Sequence, residues 1–166
     1  MNERNARVCL VTPGQPSTNP RLVKEADALV EAGYSVHVIA CKHQAWADDA
    51  DAVFASREWT VEWLRFGLMA PWLRDVWQRS RRRLAREAVT YIGPRPGLTE
   101  RAFHYIVPEL AKRTCAVTAD LYIAHNLAAL PAAARAADTH GARLGFDAED
   151  FHRGEVPDTP AHATTR

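Results

Sequence analysis

The apolar positions of this chain fall into short runs and one-sided stripes that alternate along its length. Val8, Cys9, Leu10 and Val11 form a continuous apolar run, the pattern of a strand covered on both faces. Leu22, Val23, Ala26, Leu29 and Val30 then recur at helical spacing, with Arg21, Lys24, Glu25 and Asp27 expected to face away. Asn19 suits the N-cap of that helix, Pro20 its first position, and Gly33 a left-handed stop. Val36 to Ala40 is a second apolar strand. The chain therefore opens as a strand–helix–strand unit.

From Cys41 to Arg57 the chain is polar and alanine-rich, with acids at Asp48, Asp49 and Asp51, and reads as a loop with at most a short helix. Trp59 to Phe66 alternates as a third strand near one edge. Pro71 to Tyr91 reads as a helix with Leu73, Val76, Trp77, Ser80, Leu84, Ala88 and Tyr91 on one stripe. Its opposite side carries Arg74, Arg79, Arg81, Arg82, Arg83 and Arg86. Glycines and prolines break the pattern over residues 92–97. Another helix is expected from about Thr99 to about Arg113, turning Ala102, Phe103, Ile106 and Leu110 inward.

Leu121 to Ala124 is a fourth strand, ending at His125 and Asn126. Leu127 to His140 favours helix, with Pro131 acceptable in its first turn and Gly141 as its end. Arg143 to Phe146 is a fifth strand that closes on Asp147 to Asp150. The pattern fades from Phe151, so one domain is expected over residues 1–155 and a disordered tail over 156–166. Strands alternating with helices predict an α/β fold, a doubly wound parallel sheet in the order 3-2-1-4-5.

Composition adds limits. A chain of 166 residues with 47% hydrophobic and 25% charged residues can bury a real core. A net charge of +1 points to neither nucleic acid nor membrane, although it conceals the local charge of the arginine-rich helix. Cys9, Cys41 and Cys115 lack metal-ligand spacing, and core residues or free thiols are expected rather than a disulfide framework. Met1 to Arg7 is polar, the apolar run after it is too short for a signal peptide, and no stretch resembles a transmembrane helix, so a cytoplasmic location is expected.

A sheet of that order places the carboxyl ends of strands one, four and five side by side. Gly14 with its loop, His125, Asn126 and Asp147 to Asp150 collect there. A glycine loop beside a helix N-terminus can approach phosphate oxygens, and a histidine with carboxylates can hydrogen-bond a hydroxylated substrate. Each residue also has a structural reading. Gly14 can simply turn the chain, His125 can be a hydrogen-bonded strand-end residue, Asp147 can cap, and Glu149 and Asp150 can be solvated. TPGQP lacks the GxGxxG spacing of a dinucleotide site, and no metal cluster, nucleophile elbow or P-loop is present. The arginine helix reads first as a solvated face. Trp72 and Trp77 add docking to an anionic membrane surface as the minority reading. Nucleic-acid binding is not expected, because the basic charge is confined to one helix.

Taken in order, VCLVTPGQPSTNPRLVKEADALVEAGYSVHVIA and DLYIAHNLAALPAAARAADTHGARLGFDAED resemble the N-terminal domain of family 4-type retaining glycosyltransferases. The resemblance runs from residue 7 to about 155, with little contribution from about 42 to 118. It implies one Rossmann-like half of a GT-B fold, in which two such domains face each other over a cleft. Gly14 and Arg21 would then face the donor diphosphate. His125 would be the catalytic-site residue near the transferred sugar, and Asn126, Asp147, Glu149 and Asp150 would form the acceptor segment.

No metal and no bound cofactor is implied, only a nucleotide-sugar co-substrate. The implied partners are a sugar acceptor and a donor-binding C-terminal domain, in cis or in trans, with peripheral contact to the inner face of a membrane as a further option. The chain departs from the family in having one glycine in its first loop and Glu149 where histidine is common. It also has nothing resembling the C-terminal domain, so the chain alone is expected to be inactive, as a fragment or half of a split enzyme. The alternative is a non-catalytic binding or regulatory module that docks to a membrane or protein partner through the arginine-rich helix.

Overall fold

A computed structural model of the chain describes residues 5–148. The expected strand–helix–strand opening is formed by β1 (Arg7–Val11), α1 (Pro20–Glu31) and β2 (Ser35–Lys42). Asn19 caps α1, its Oδ1 accepting from the Leu22 N–H at 3.0 Å. Gly33, at φ +87°, ends it. The Gly33 N–H donates to Val30 O at 2.9 Å and the Tyr34 N–H to Leu29 O at 3.0 Å, a paired closure that needs the left-handed turn glycine adopts freely.

The short helix α2 (Asp48–Asp51) follows β2, and then β3 (Thr60–Arg65) and the long helix α3 (Trp72–Ile92). Helices α4 (Leu98–Phe103) and α5 (Val107–Thr114) lead into β4 (Leu121–His125), α6 (Leu130–His140) and β5 (Arg143–Asp147). All strand pairs are parallel, in the order β3-β2-β1-β4-β5. This is the Rossmann-like doubly wound arrangement that the alternation predicts. Pro131 lies in the first turn of α6, where its missing N–H leaves no carbonyl unpaired.

Each face of the sheet has its own core. Val8 and Leu10 of β1 pack with Leu22 and Ala26 of α1, Val38, Phe54 and Trp59. Cys9 and Val11, pointing the other way, pack with Ile39, Ile106, Leu110, Tyr122 and the alanines of α6. Those alanines let α6 lie close against the sheet. The cysteines are free thiols, and burial pushes the Cys9 thiol up to about 12, so it behaves as a small core hydrophobe.

Two expectations fail. The helix expected over 99–113 is two helices, because Pro108 inside a continuous helix would have no N–H for the His104 carbonyl and would clash with it. The chain becomes extended at His104 and restarts with Pro108 in the first turn of α5. Ile106 and Leu110 are buried as expected, but Phe103 is exposed.

Helix α3 also leaves its apolar stripe in solvent and meets the body through one side of its polar face, while Arg74, Arg79, Arg83 and Arg86 stay exposed as expected. Gln78 and Ala85 are buried, whereas Leu73, Val76, Trp77, Leu84 and Tyr91 face solvent, Leu84 at 69% exposure. The polar side has specific partners. Arg81 makes a two-pronged ion pair with Glu109 at 2.7 and 2.9 Å and donates to Tyr105 O, and Arg82 donates to Ala102 O. A planar guanidinium fork on a carboxylate can outweigh a modest apolar stripe in deciding which side turns in.

Among the described residues no helix is long and apolar enough to cross a membrane. The expected end of the domain at 155, the tail 156–166, and Glu149 and Asp150 lie outside the described residues.

Candidate functional site at the carboxyl edge of the sheet

The strand order reverses between β1 and β4, and the crevice beyond the carboxyl ends of these strands is the natural ligand position of an open α/β sheet. His125 ends β4 and pairs in register with Asp147, which ends β5. Strand pleating sends His125 to the same face as Leu121 and Ile123, the face that α1 covers. Arg21 and Glu25 lie one helical turn apart on α1 and so project together toward these strand ends.

The four side chains form a chain of contacts. Glu25 Oε2 lies 2.7 Å from His125 Nε2, and Asp147 Oδ2 lies 3.4 Å from His125 Nδ1. The other carboxylate oxygen, Asp147 Oδ1, accepts from Arg21 at 2.9 Å. Exposure grades along this chain, from 0% for the His125 side chain to 20% for Asp147, 33% for Glu25 and 60% for Arg21. The imidazole is therefore a buried strut, and the carboxylates and guanidinium are the part of the cluster that reaches solvent.

Asn126 follows at φ +72°, a left-handed conformation that asparagine tolerates better than most residues. Its N–H donates to Asp147 O at 3.2 Å, and its carbonyl accepts from Ala129 at 3.1 Å as the chain turns into α6. Asn126 thus ties the two strand ends together through its backbone.

The loop after β1 is fixed from the opposite side. Gln15 is completely buried, donates to Asp51 at 2.7 Å, and accepts from the His43 and Gln44 N–H groups. Asp51 in turn accepts from the Ser17 N–H at 3.0 Å. Gly14 has an ordinary backbone, and a Cβ placed on it would come no closer than 3.6 Å to any neighbour, the Thr18 hydroxyl. Nothing among the described residues requires glycine there.

Of the residues singled out from the sequence, the structure brings His125, Asp147 and Arg21 into one cluster and places Asn126 beside it. Gly14 is on the adjoining strand's loop. Glu25 was expected to face away and belongs to the cluster instead. The signal that could have found it is its i+4 spacing from Arg21, together with the nearness of the α1 N-terminus to the sheet's carboxyl edge. Gln15 and Asp51 were likewise passed over, since a glutamine between prolines carries no pattern that announces burial.

Among the described residues no group of His, Cys, Asp and Glu side chains is arranged to hold a metal ion. A groove of about 500 Å³, lined by Trp63, Arg65, Met69 and Arg74, lies at the end of edge strand β3. It is separated from β4 by two strands and shares no residue with the cluster. We place the site at the cluster, because convergent charged groups at the switch point say more about chemistry than concavity does. No family model matches the chain, and no curated protein matches it.

Proposed function

We propose that this chain is the acceptor-side domain of a nucleotide-sugar-dependent glycosyltransferase that acts with a donor-binding domain supplied in cis or in trans. The observation that carries the reading is the graded Arg21–Asp147–His125–Glu25 cluster at the switch point of the sheet. Partly exposed carboxylates suit the hydroxyl groups of a sugar, because an ionised carboxylate only accepts and a hydroxyl can donate. The exposed guanidinium of Arg21 suits an anion, and the absence of GxGxxG from the β1 loop speaks against a dinucleotide.

In this reading Glu25 and Asp147 orient an acceptor hydroxyl, and Arg21 with the Gly14 loop faces the departing diphosphate. Rate enhancement comes from positioning and from charge stabilisation on the leaving group. His125, being buried, is a positioning residue that holds both carboxylates, and no nucleophile is assigned. Its burial is also the observation that favours the second reading, a non-catalytic sugar-binding module.

Saturation-transfer NMR of the full chain against a panel of sugars and nucleotide-sugars tests the proposal. Sugar binding weakened about tenfold by Asp147→Asn is expected, the loss of one charge-assisted hydrogen bond. No binding across the panel, or binding indifferent to Asp147 and Arg21, would sink it. Binding that persists without transfer when a donor domain is added would select the second reading.

A further inference from the structure

Helix α3 turns an apolar stripe to solvent that nothing among the described residues covers. Leu73, Trp77, Leu84 and Tyr91 are 64%, 62%, 69% and 83% exposed and recur along one line of the helix. From Leu73 to Tyr91 the stripe is about 27 Å long at the helical rise of 1.5 Å per residue. Trp72 at the helix start and Leu68 just before it are exposed as well. Contiguous exposed apolar surface of this kind marks a docking face.

The charge beside the stripe says what docks. Four arginines, Arg79, Arg82, Arg83 and Arg86, line a groove of about 410 Å³ together with the single acid Glu87, Thr90 and Tyr105. Arg79 is engaged by Asp75 and Arg82 by a backbone carbonyl, while Arg83 and Arg86 are exposed and reach solvent. Arg74 lies on the other flank. The helix carries six arginines against Asp75 and Glu87 in a chain whose net charge is only +1. Apolar side chains along a line, aromatic rings among them, and guanidinium groups on both flanks match the boundary between lipid headgroups and acyl chains.

We propose that α3 docks the protein on an anionic lipid bilayer, the stripe entering the headgroup boundary and the arginine groove taking lipid phosphates. The chain's own residues 149–166 do not suit the stripe, since Phe151 and Val156 are their only large apolar residues. A second copy suits it poorly, because pairing two α3 helices along the stripe sets arginine flank against arginine flank. A bilayer supplies both the apolar depth and the phosphates at once. The proposal is independent of the glycosyltransferase reading and survives its failure.

Co-sedimentation of the full chain with vesicles tests it, using phosphatidylcholine alone against an equal mixture of phosphatidylcholine and phosphatidylglycerol. The expected result is pelleting with the mixture only, weakened by salt, with a blue shift of tryptophan emission. Arg83→Ala with Arg86→Ala should weaken binding about thirtyfold, and Trp77→Ser with Leu84→Ser should remove the blue shift. All four side chains are exposed, so circular dichroism should show both double variants folded. Equal binding to both vesicles, or binding that both double variants retain, overturns the proposal. So does a lipid-free dimer that Trp77→Ser with Leu84→Ser dissolves, which would make a second copy the occupant. Should a double variant misfold, the salt dependence of the unaltered chain decides alone: binding to the mixture that salt leaves unchanged overturns the proposal.

Discussion

Glu25 on α1 and His125 at the end of β4 meet at 2.7 Å between Oε2 and Nε2, and this contact joins α1 to β4. Asp147 completes the arrangement from β5 and leads to Arg21 on α1 again. The closed circuit spans two layers of the fold. It therefore couples the geometry of the site to the docking of α1 on the sheet.

Replacing His125 tests that coupling. His125→Ala removes a fully buried ring and leaves Glu25 and Asp147 facing each other across the space. We expect a loss of about 3 kcal/mol in urea denaturation, the usual scale for emptying a buried site and breaking its polar contacts. A double-mutant cycle with Glu25→Gln should give a coupling above about 1 kcal/mol. Additive losses would mean that the two side chains are neighbours without an interaction.

The β1 loop supplies two adjacent residues with opposite expectations. Gly14→Ala meets only ordinary contacts and should leave the free energy of unfolding within about 0.5 kcal/mol of its starting value, while crowding any ligand that approaches the loop. Gln15→Leu strands Asp51 and two backbone N–H groups and should cost about 3 kcal/mol. Calorimetry on both variants checks the contrast. A Gly14→Ala variant as damaged as Gln15→Leu would show that the loop needs glycine for its own sake.

His104 predicts the acid side of the stability curve. Burial, then the Arg82 charge and His43, hold its imidazole down at about 4 against an ordinary value of 6.5. Its Nδ1 accepts the Ile106 N–H at 3.3 Å, which requires a bare nitrogen, and its ring stacks on Tyr105. Between pH 6.5 and 4 the unfolded chain takes up a proton that the folded chain refuses. Stability from this group is thus full above 6.5 and is lost as pH falls toward 4, on the order of 3 kcal/mol in all. His104→Phe keeps a ring against Tyr105 and should flatten this part of the curve, measured by urea denaturation across the range. An unchanged slope would assign acid sensitivity to other groups.

The strands, α1 and α6 were legible because their signals are local. A strand's apolar run, the Asn19 cap, the Gly33 stop and the place of Pro131 each act within a turn or two of the backbone. The order 3-2-1-4-5 followed from parallel crossovers, whose handedness leaves few alternatives. The break at His104 was also legible in principle, since Pro108 forbids the helix that periodicity alone suggests.

Two matters could be decided only in three dimensions. An amphipathic stripe says that a helix has two faces, not which face meets the body. For α3 that choice rests on Arg81 finding Glu109, a partner on a different helix. Glu25 likewise looks like any solvated helix position until β4 and β5 bring His125 and Asp147 beside it. Residue order therefore settled the elements and the sheet, because their causes are short-range. Packing between distant segments settled which charges are buried together and which apolar surface is left to meet something else.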